Sequence, residues 1–363
     1  MRVLFSIGHP GHVHLFRYAG ANLEKRGHKV YYAVCDIPVA KRLMDCYGMS
    51  YFVLGKKRDG IWGKAFTIIE RDIKLFWFVL IHKIDIGMSS GIELGHVSKV
   101  TPMTAFNFDD DDDEVEKLVV KYGHPFVDVV LSPSAVELHR KSKHAIFYKG
   151  YHELAYLHPN VYKPDPSVLN RLGVNENERY FVMRFVALKG HHDIGQKGLS
   201  FEQKLKLVNI LNQYGRVIIT SERAVDKEFE QYRLPVPPED MHSVMYYSSL
   251  FIGDSQTMTS EAAVLGVPSL RCNTFVGRIS YLEEEEHRYA LTFGFTPDNF
   301  DKLLEKLEEL LSNPNLKDEW QEKRKKLLSE KIDVSAFFTW FIENYPESKK
   351  IMQENPDYQM RFK

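Results

Sequence analysis

Short apolar runs alternate with segments of helical spacing along the first half of the chain. Residues 3–7 form an apolar run, a turn follows, and residues 12–26 carry apolar side chains every three or four positions up to Gly27. A further apolar run at 30–34 completes a strand–helix–strand unit. Comparable apolar runs lead into polar loops at 85–90, 128–133 and 145–148. This alternation predicts a parallel sheet with helices on both faces.

A segment at 158–167 interrupts the alternation, which then starts again. It contains three prolines and little periodicity, as is typical of a linker. Apolar runs follow at 180–185, 216–220, 250–253 and 268–272, and an aromatic helix is predicted at 334–342. We therefore predict an α/β fold of two doubly wound, Rossmann-like domains with a cleft between them. The predicted parts are domains at 1–160 and 177–331, a linker at 161–176, and a C-terminal helical tail at 332–363 that packs back on the first domain.

The segment 253–268 carries the clearest chemical signal. It lies between two apolar runs, so it predicts a strand, a polar turn, a helix of small residues ended by Gly266, and another strand. Backbone N–H groups and hydroxyls at such a helix start hold anions such as a diphosphate, and Glu261 is placed to accept hydrogen bonds from sugar hydroxyls. The alternative is an ordinary capped helix. The candidate ligand-binding residues here are Asp254, Ser255, Thr257, Met258 and Glu261.

A glycine- and histidine-rich loop follows the first predicted strand, at the edge of the sheet where α/β proteins collect ligands. Gly11 allows a ligand to approach closely, and His12 lies near the start of the first helix. The helix dipole disfavours the protonated form of His12, which suits a general base. The alternative is that His9, His12 and His14 are polar loop residues that cap the helix. We expect no metal site, because no carboxylate is adjacent.

Composition excludes several classes of protein. The 363 residues are 44% hydrophobic and 27% charged, with a formal net charge of −1, so nothing indicates a nucleic-acid partner. Three scattered cysteines fit reduced thiols rather than a disulfide framework or a zinc site. The first apolar run is too short for a signal peptide, and no stretch is long enough to span a membrane. We therefore expect a cytoplasmic protein.

Two segments stand out from this average composition. Residues 73–81 are the most apolar stretch, and basic residues precede them. Peripheral contact with the inner face of a membrane is one interpretation, and burial as a core helix of the first domain is the favoured one. Residues 109–114, which we call the acidic run, are five aspartates and a glutamate. We expect the acidic run to be a solvated face or a helix start, with a divalent-ion site as the alternative.

The segment 253–268 resembles the nucleotide-binding segment of GT-B glycosyltransferases and of nonhydrolysing UDP-GlcNAc 2-epimerases. With the segments at 1–34, 151–156 and 184–186, the chain resembles an uncharacterised bacterial and archaeal family related to those epimerases. The resemblance implies a GT-B-like fold and a role for His12 in deprotonating an acceptor. It also implies that the loop after the strand at 180–185 contacts a diphosphate. The further implied nucleotide-sugar contacts are Gly11, Arg184, Lys189, His191, His192, Thr220 and Met241.

The implied activity is transfer of a sugar from a nucleotide sugar, UDP-linked by analogy, to an acceptor hydroxyl in glycan or polysaccharide biosynthesis. No separate cofactor is implied, and neither the acceptor nor the oligomeric state can be predicted. An epimerase-like isomerase and a noncatalytic nucleotide-sugar-binding protein are the alternatives. The catalytic carboxylates of the epimerases lie in turns that are absent here, since the equivalent positions contain the sequences at 89–96 and 106–109.

Overall fold

The chain forms two compact units in the computed structural model, which describes residues 1–56, 58, 60–175, 178–185, 197–221, 225–233 and 236–363. Unit 1 combines Met1–Val161 with Lys331–Lys363, and unit 2 is Tyr162–Glu330. Unit 2 is therefore one continuous segment, inserted between the two parts of unit 1.

Unit 1 is built on a sheet of seven parallel strands. In chain order they are β1 (Arg2–Ile7), β2 (Lys29–Cys35), β3 (Tyr51–Gly55), β4 (Ile86–Ser89), β5 (Thr104–Phe108), β6 (Val129–Pro133) and β7 (Ala145–Tyr148). Their order across the sheet is β3-β2-β1-β4-β5-β6-β7. The helices that follow these strands are α1 (Pro10–Lys25), α2 (Pro38–Cys46), α3 (Ile61–His82), α4 (Glu93–Ser98), α5 (Lys117–Tyr122) and α6 (Leu154–Leu157). The order reverses between β1 and β4, and such a reversal is where α/β sheets open a crevice for ligands.

Unit 2 repeats the arrangement with five parallel strands: β8 (Tyr180–Phe185), β9 (Arg216–Ser221), β10 (Leu250–Gly253), β11 (Ser269–Cys272) and β12 (Thr292–Phe295). Their order is β12-β11-β10-β8-β9, so the reversal lies between β8 and β10. Its helices are α7 (Ser167–Leu172), α8 (Phe201–Leu211), α9 (Met241–Tyr247), α10 (Gln256–Leu265), α11 (Ser280–His287), α12 (Phe300–Ser312) and α13 (Leu316–Glu330). The prediction of two doubly wound α/β sheets is confirmed.

The C-terminal residues return to unit 1. They form α14 (Val334–Glu343), α15 (Glu347–Glu354) and a 3-10 helix at Pro356–Phe362. Helix α14 packs against α1 and α6. Its side chains Phe337, Phe338 and Phe341 are fully buried. The Phe338 ring contacts Tyr148 at the end of β7, with 5.5 Å between centroids. The tail therefore completes the hydrophobic core of unit 1.

Helix α3 is apolar on two faces. Leu75 and Val79 are buried in the core of unit 1. Ile73, Trp77 and Ile81 lie on the opposite face and are 55%, 58% and 70% exposed. The favoured interpretation of this stretch as a core helix therefore describes only one side of it. No helix in the described part of the chain is long and apolar enough to cross a membrane, and peripheral contact with a membrane stays a prediction.

From the burial of the tail we predict that two phenylalanine-to-alanine substitutions differ greatly in their effect on the free energy of unfolding. Phe338→Ala removes a fully buried ring, so it should lower the free energy of unfolding of unit 1 by about 3–5 kcal/mol. Phe66→Ala removes a ring that is 56% exposed. It should change the free energy of unfolding by about 0.5 kcal/mol or less. Urea denaturation followed by circular dichroism measures both. Equal effects would mean that α14 is only loosely attached.

Candidate functional site

The start of α10 lies directly after β10, at the reversal of strand order in unit 2. Ser255 is its N-cap, and the Ser255 hydroxyl accepts a hydrogen bond from the Met258 N–H at 3.3 Å. The first N–H groups of a helix have no partner within the helix, and the dipole makes this end positive. Gln256 and Thr257, the first two residues of α10, are half-buried. This helix end therefore offers backbone donors and a Ser255 hydroxyl proton to an anion.

A close approach of two strands explains the glycine at the end of β10. Gly253 pairs with Arg184 on β8. A Cβ atom on Gly253 would lie 2.3 Å from the Arg184 carbonyl oxygen, a distance that real side chains do not tolerate. The following residue, Asp254, is buried, and its carbonyl accepts a hydrogen bond from Asn273 Nδ2 at 3.0 Å. These contacts fix the turn that sets the orientation of α10.

Glu261 lies one and a half turns into α10 and pairs with a histidine that sequence analysis did not single out. Glu261 Oε1 is 3.0 Å from His242 Nε2, and both side chains are more than nine-tenths buried. His242 belongs to α9, which packs against α10. Nothing in the sequence around either residue reveals the contact, because 19 positions separate them. The pair holds a carboxylate in a fixed orientation behind the start of α10.

The remaining predicted residues of unit 2 differ in how far they are buried and in the element that carries them. Thr220, on β9, is buried and donates its hydroxyl to the Met183 carbonyl at 3.3 Å. Met241 is half-buried at the start of α9, and Met258 is buried in the first turn of α10. Arg184 is half-buried on β8. The predictions for Lys189, His191 and His192 lie outside the described residues.

The histidine loop of unit 1 lies at the carboxyl edge of its sheet, where the strand order reverses. His9 is the N-cap of α1, and its Nδ1 accepts a hydrogen bond from the Gly11 N–H at 3.1 Å. His12 Nδ1 accepts a hydrogen bond from the Gly8 N–H at 3.2 Å, and its Nε2 is 3.4 Å from Ser90 Oγ, beyond β4. Burial lowers the pKa of His12 well below its usual value, and the neighbouring His9 and His152 lower it further. His12 is therefore neutral at pH 7.

The expectation that the acidic run is a solvated face or a helix start is wrong. Asp109 and Asp113 are buried around Arg140, whose side chain is fully buried. Arg140 Nη1 donates to Asp109 Oδ2 at 2.9 Å and to Asp113 Oδ1 at 2.6 Å. Its other nitrogens donate to Ser132 Oγ and to the carbonyls of Asp109 and Asp111. All five N–H donors of the guanidinium are thereby satisfied, which is what a buried charge requires.

A second histidine–carboxylate pair lies beside this network. Asp110 Oδ2 is 2.8 Å from His152 Nδ1. His152 lies between β7 and α6, and its ring meets Phe108 with 4.9 Å between centroids. Phe108 also meets the His12 ring at 5.1 Å. The sequence around His152 carries a family resemblance but no local pattern that predicts a role for the residue.

The described residues contain no group of three or more His, Cys, Asp or Glu side chains arranged to hold a metal ion. In the acidic run, Asp109 and Asp113 direct their buried carboxylates toward Arg140. Its alternative interpretation as a divalent-ion site therefore has no support in the geometry.

A family model described as a protein of unknown function, DUF354, matches residues 1–292. The chain belongs to the DUF354 family. The uncharacterized protein MJ0665 of Methanocaldococcus jannaschii is 25% identical over 292 residues, which cover 76% of this chain and 83% of that protein. The predicted relationship to such a family is confirmed.

Solved structures show which fold the DUF354 chain shares. The UDP-GlcNAc 2-epimerase of Methanocaldococcus jannaschii, in complex with UDP-GlcNAc and UDP, superposes with a TM-score of 0.60 at 13% identity over 90% of this chain and 99% of that one. The Streptomyces sp. SF2575 glycosyltransferase SsfS6 superposes with a TM-score of 0.63 at 10% identity over 95% and 100%. The predicted GT-B-like fold class is thereby confirmed.

The burial of the Asp111 carboxylate predicts that replacing it with a neutral side chain stabilises the protein in a pH-dependent way. Burial raises the pKa of Asp111 well above its usual value, and the carboxylates of Asp110 and Asp109 raise it further. The folded state therefore binds this proton more tightly than the unfolded state, so the ionised carboxylate destabilises the fold as pH rises through its folded pKa. Asp111→Asn should raise the melting temperature at pH 7, and the gain should disappear as pH falls toward about 4.

Differential scanning calorimetry across that pH range measures the effect. Asp318 is exposed on α13, so Asp318→Asn is the matched control and should change the melting temperature little at any pH. An Asp111→Asn protein less stable than the wild type at pH 7 would mean that the Asp111 carboxylate is held by a favourable contact.

Proposed function

We propose that this DUF354 protein transfers a sugar from a nucleotide sugar, a UDP-linked one in the first instance, to an acceptor hydroxyl. The observation that carries the proposal is the start of α10, a Ser255-capped helix end at the strand-order reversal of unit 2 with a buried carboxylate behind it. A helix end of this kind suits a diphosphate. The solved structures with a similar fold support nucleotide-sugar chemistry, since one is a complex with UDP-GlcNAc and UDP and another is a glycosyltransferase.

On the donor side, each group has a distinct task in the proposal. The Ser255 hydroxyl, the Thr257 hydroxyl and the backbone N–H groups at the start of α10 bind the diphosphate. Glu261 accepts hydrogen bonds from the ribose hydroxyls, and its contact with His242 at 3.0 Å holds the carboxylate in place. Stabilising the negative charge of the departing diphosphate is the main contribution that unit 2 makes to the reaction.

On the acceptor side, the proposed contacts belong to unit 1. Gly11 and His12 lie at the carboxyl edge of the sheet, where β1 and β4 end side by side. His12 is neutral there because burial and two neighbouring histidines lower its pKa. We assign His12 to the catalytic step, in contact with the reacting hydroxyl. Sugar transfer of this kind needs no separate cofactor.

An epimerase-like isomerase is the second candidate, favoured by the similarity of the fold to a UDP-GlcNAc 2-epimerase. Ser89 is the last residue of β4 and Ser90 follows it, and Asp109 follows β5. In the epimerases, catalytic carboxylates occupy the turns at these positions. The acidic residues in the segments 89–96 and 106–109 are Glu93 and Asp109. Arg71 engages the first and Arg140 the second. This favours transfer over epimerisation.

From the proposed donor site we predict that two alanine variants weaken nucleotide-sugar binding to different extents. Isothermal titration calorimetry against UDP-GlcNAc and against GDP-, CDP- and dTDP-linked sugars should find binding to at least one. Glu261→Ala should weaken that binding by about 1–3 kcal/mol, since it removes a charged hydrogen-bond acceptor. His242→Ala should weaken it less, because the carboxylate remains. Equal losses in the two variants would reduce Glu261 to a structural partner of His242, and a folded wild type that binds none of the four would remove both enzyme proposals.

A transferase and an epimerase differ in their exchange with solvent. An epimerase removes and returns the proton on C2 of the sugar, so deuterium from D₂O enters that position without an acceptor. We expect no such exchange when the protein is incubated with the nucleotide sugar that binds, as measured by ¹H NMR of the recovered sugar. Deuterium at C2 would replace the transferase proposal by the epimerase one.

A further inference from the structure

One ring nitrogen of His152 is buried without a partner. Its Nδ1 faces Asp110 Oδ2 at 2.8 Å. Its Nε2 has no hydrogen-bond partner among the residues that the structure describes. The His152 side chain as a whole is 12% exposed. A buried polar atom without a partner is costly, so such an atom in a folded protein calls for a ligand or a reaction that uses it.

The Asp110 contact fixes which nitrogen of His152 carries the proton. An ionised carboxylate only accepts hydrogen bonds, so Nδ1 of His152 must be the N–H donor. The neutral ring then has its lone pair on Nε2, the nitrogen without a partner. Asp110 also stabilises the imidazolium that forms when Nε2 takes up a proton. A base held by an orienting carboxylate is the arrangement that activates a hydroxyl.

His12 has the opposite arrangement. A backbone N–H only donates, so the 3.2 Å contact from Gly8 occupies the lone pair on His12 Nδ1. The neutral ring therefore carries its proton on Nε2. To act as a base through Nε2, His12 would have to place an Nδ1–H against the Gly8 N–H.

Two other polar side chains at this edge, His9 and Tyr148, do not offer a base. His9 Nδ1 is occupied in the same way by the Gly11 N–H, at 3.1 Å. Tyr148 is fully buried with a hydroxyl that has no partner among the described residues. Burial raises the pKa of Tyr148 well above 10, and Asp110 and Glu153 raise it further, so Tyr148 stays protonated. Of these side chains, His152 alone combines an accepting nitrogen with an orienting carboxylate.

We propose that His152, oriented by Asp110, is the base that takes the proton of the acceptor hydroxyl, and that His12 serves as a neutral hydrogen-bond donor to the substrate. This inference rests on the proposed transfer reaction. In that reaction the acceptor O–H bond breaks and its proton moves to His152 Nε2. The acceptor oxygen forms a bond to C1 of the sugar, and the electron pair of the broken C1–O bond leaves with the diphosphate. His152 is the catalytic residue, and Asp110 is a positioning residue.

The tautomers can be observed without any substrate. In protein labelled with ¹⁵N-histidine, two-bond ¹H–¹⁵N spectra distinguish protonated from unprotonated ring nitrogens, and His152→Asn and His12→Asn assign the two signals. We expect His152 to carry its proton on Nδ1 and His12 on Nε2 at neutral pH. Asp110→Asn should shift His152 toward the other tautomer, because a neutral amide no longer demands a donor. A His152 ring with its proton on Nε2 in the wild type would overturn the proposal.

Measurements of turnover then show whether His152 acts as a base or only forms a buried structural pair with Asp110. With water as the acceptor, release of the nucleoside diphosphate is measured, UDP from UDP-GlcNAc or the corresponding product from whichever of the four nucleotide sugars calorimetry selects. His152→Asn keeps a side-chain donor for Asp110 and removes only the Nε2 position. It should lower the turnover number by on the order of a hundredfold or more, with the affinity for nucleotide unchanged. Asp110→Asn should lower turnover by a smaller factor, also without a change in affinity.

His96 supplies the matched control. His96 Nδ1 is 3.1 Å from Asp72 Oδ2, but its Nε2 contacts the Tyr122 carbonyl at 3.0 Å, so it has no nitrogen left for catalysis. His96→Asn should leave UDP release unchanged. If His152→Asn releases UDP as fast as the wild type, or if the wild type binds the nucleotide sugar without hydrolysing it, the base assignment is wrong. Failure of the wild type to bind any of the four removes the transfer proposal itself.

Discussion

Parallel strand pairing is the constraint on which the rest of the structure depends. Every paired strand in the described part of the chain is parallel to its neighbours, from β1 with β2 to β11 with β12. Parallel strands end at the same edge, so the loops that carry polar residues collect there. In unit 1 this brings together the loops after β1, β4 and β5, and in unit 2 it places the start of α10 beside the end of β8. Both candidate sites follow from this one rule.

Carboxylates determine what the histidines at these edges can do. Glu261 and Asp110 each hold one imidazole nitrogen, of His242 and His152 respectively. In the His12 ring a backbone N–H takes the place of the carboxylate and leaves the proton on Nε2, opposite to the His152 ring. Rings of the same chemical type can therefore present different nitrogens as donor and acceptor, depending on the groups that contact them. The buried Arg140 serves the same edge by neutralising Asp109 and Asp113 next to the Asp110 carboxylate.

The local sequence pattern predicted those features of the fold that depend on residues close together in the chain. The Ser255 cap, the small-residue helix and the Gly266 stop lie within a dozen positions, and α10 has them as expected. The partners of the acidic run escaped prediction because Arg140 lies 27 positions beyond Asp113. The His242–Glu261 contact likewise depends on how α9 packs against α10. Periodicity showed that α3 is apolar, but it could not show which of its two apolar faces the rest of unit 1 would cover.

The insertion of unit 2 within unit 1 has a consequence for the order in which the chain folds during synthesis. Unit 2 is continuous, from Tyr162 to Glu330, so all its strands are translated before the tail. Unit 1 lacks the phenylalanines of α14 until then, and the surfaces of α1 and α6 that they cover stay bare. Domains generally fold as units, in the order in which they become complete. The domain that starts first along the chain is therefore completed last, after the segment that is inserted within it.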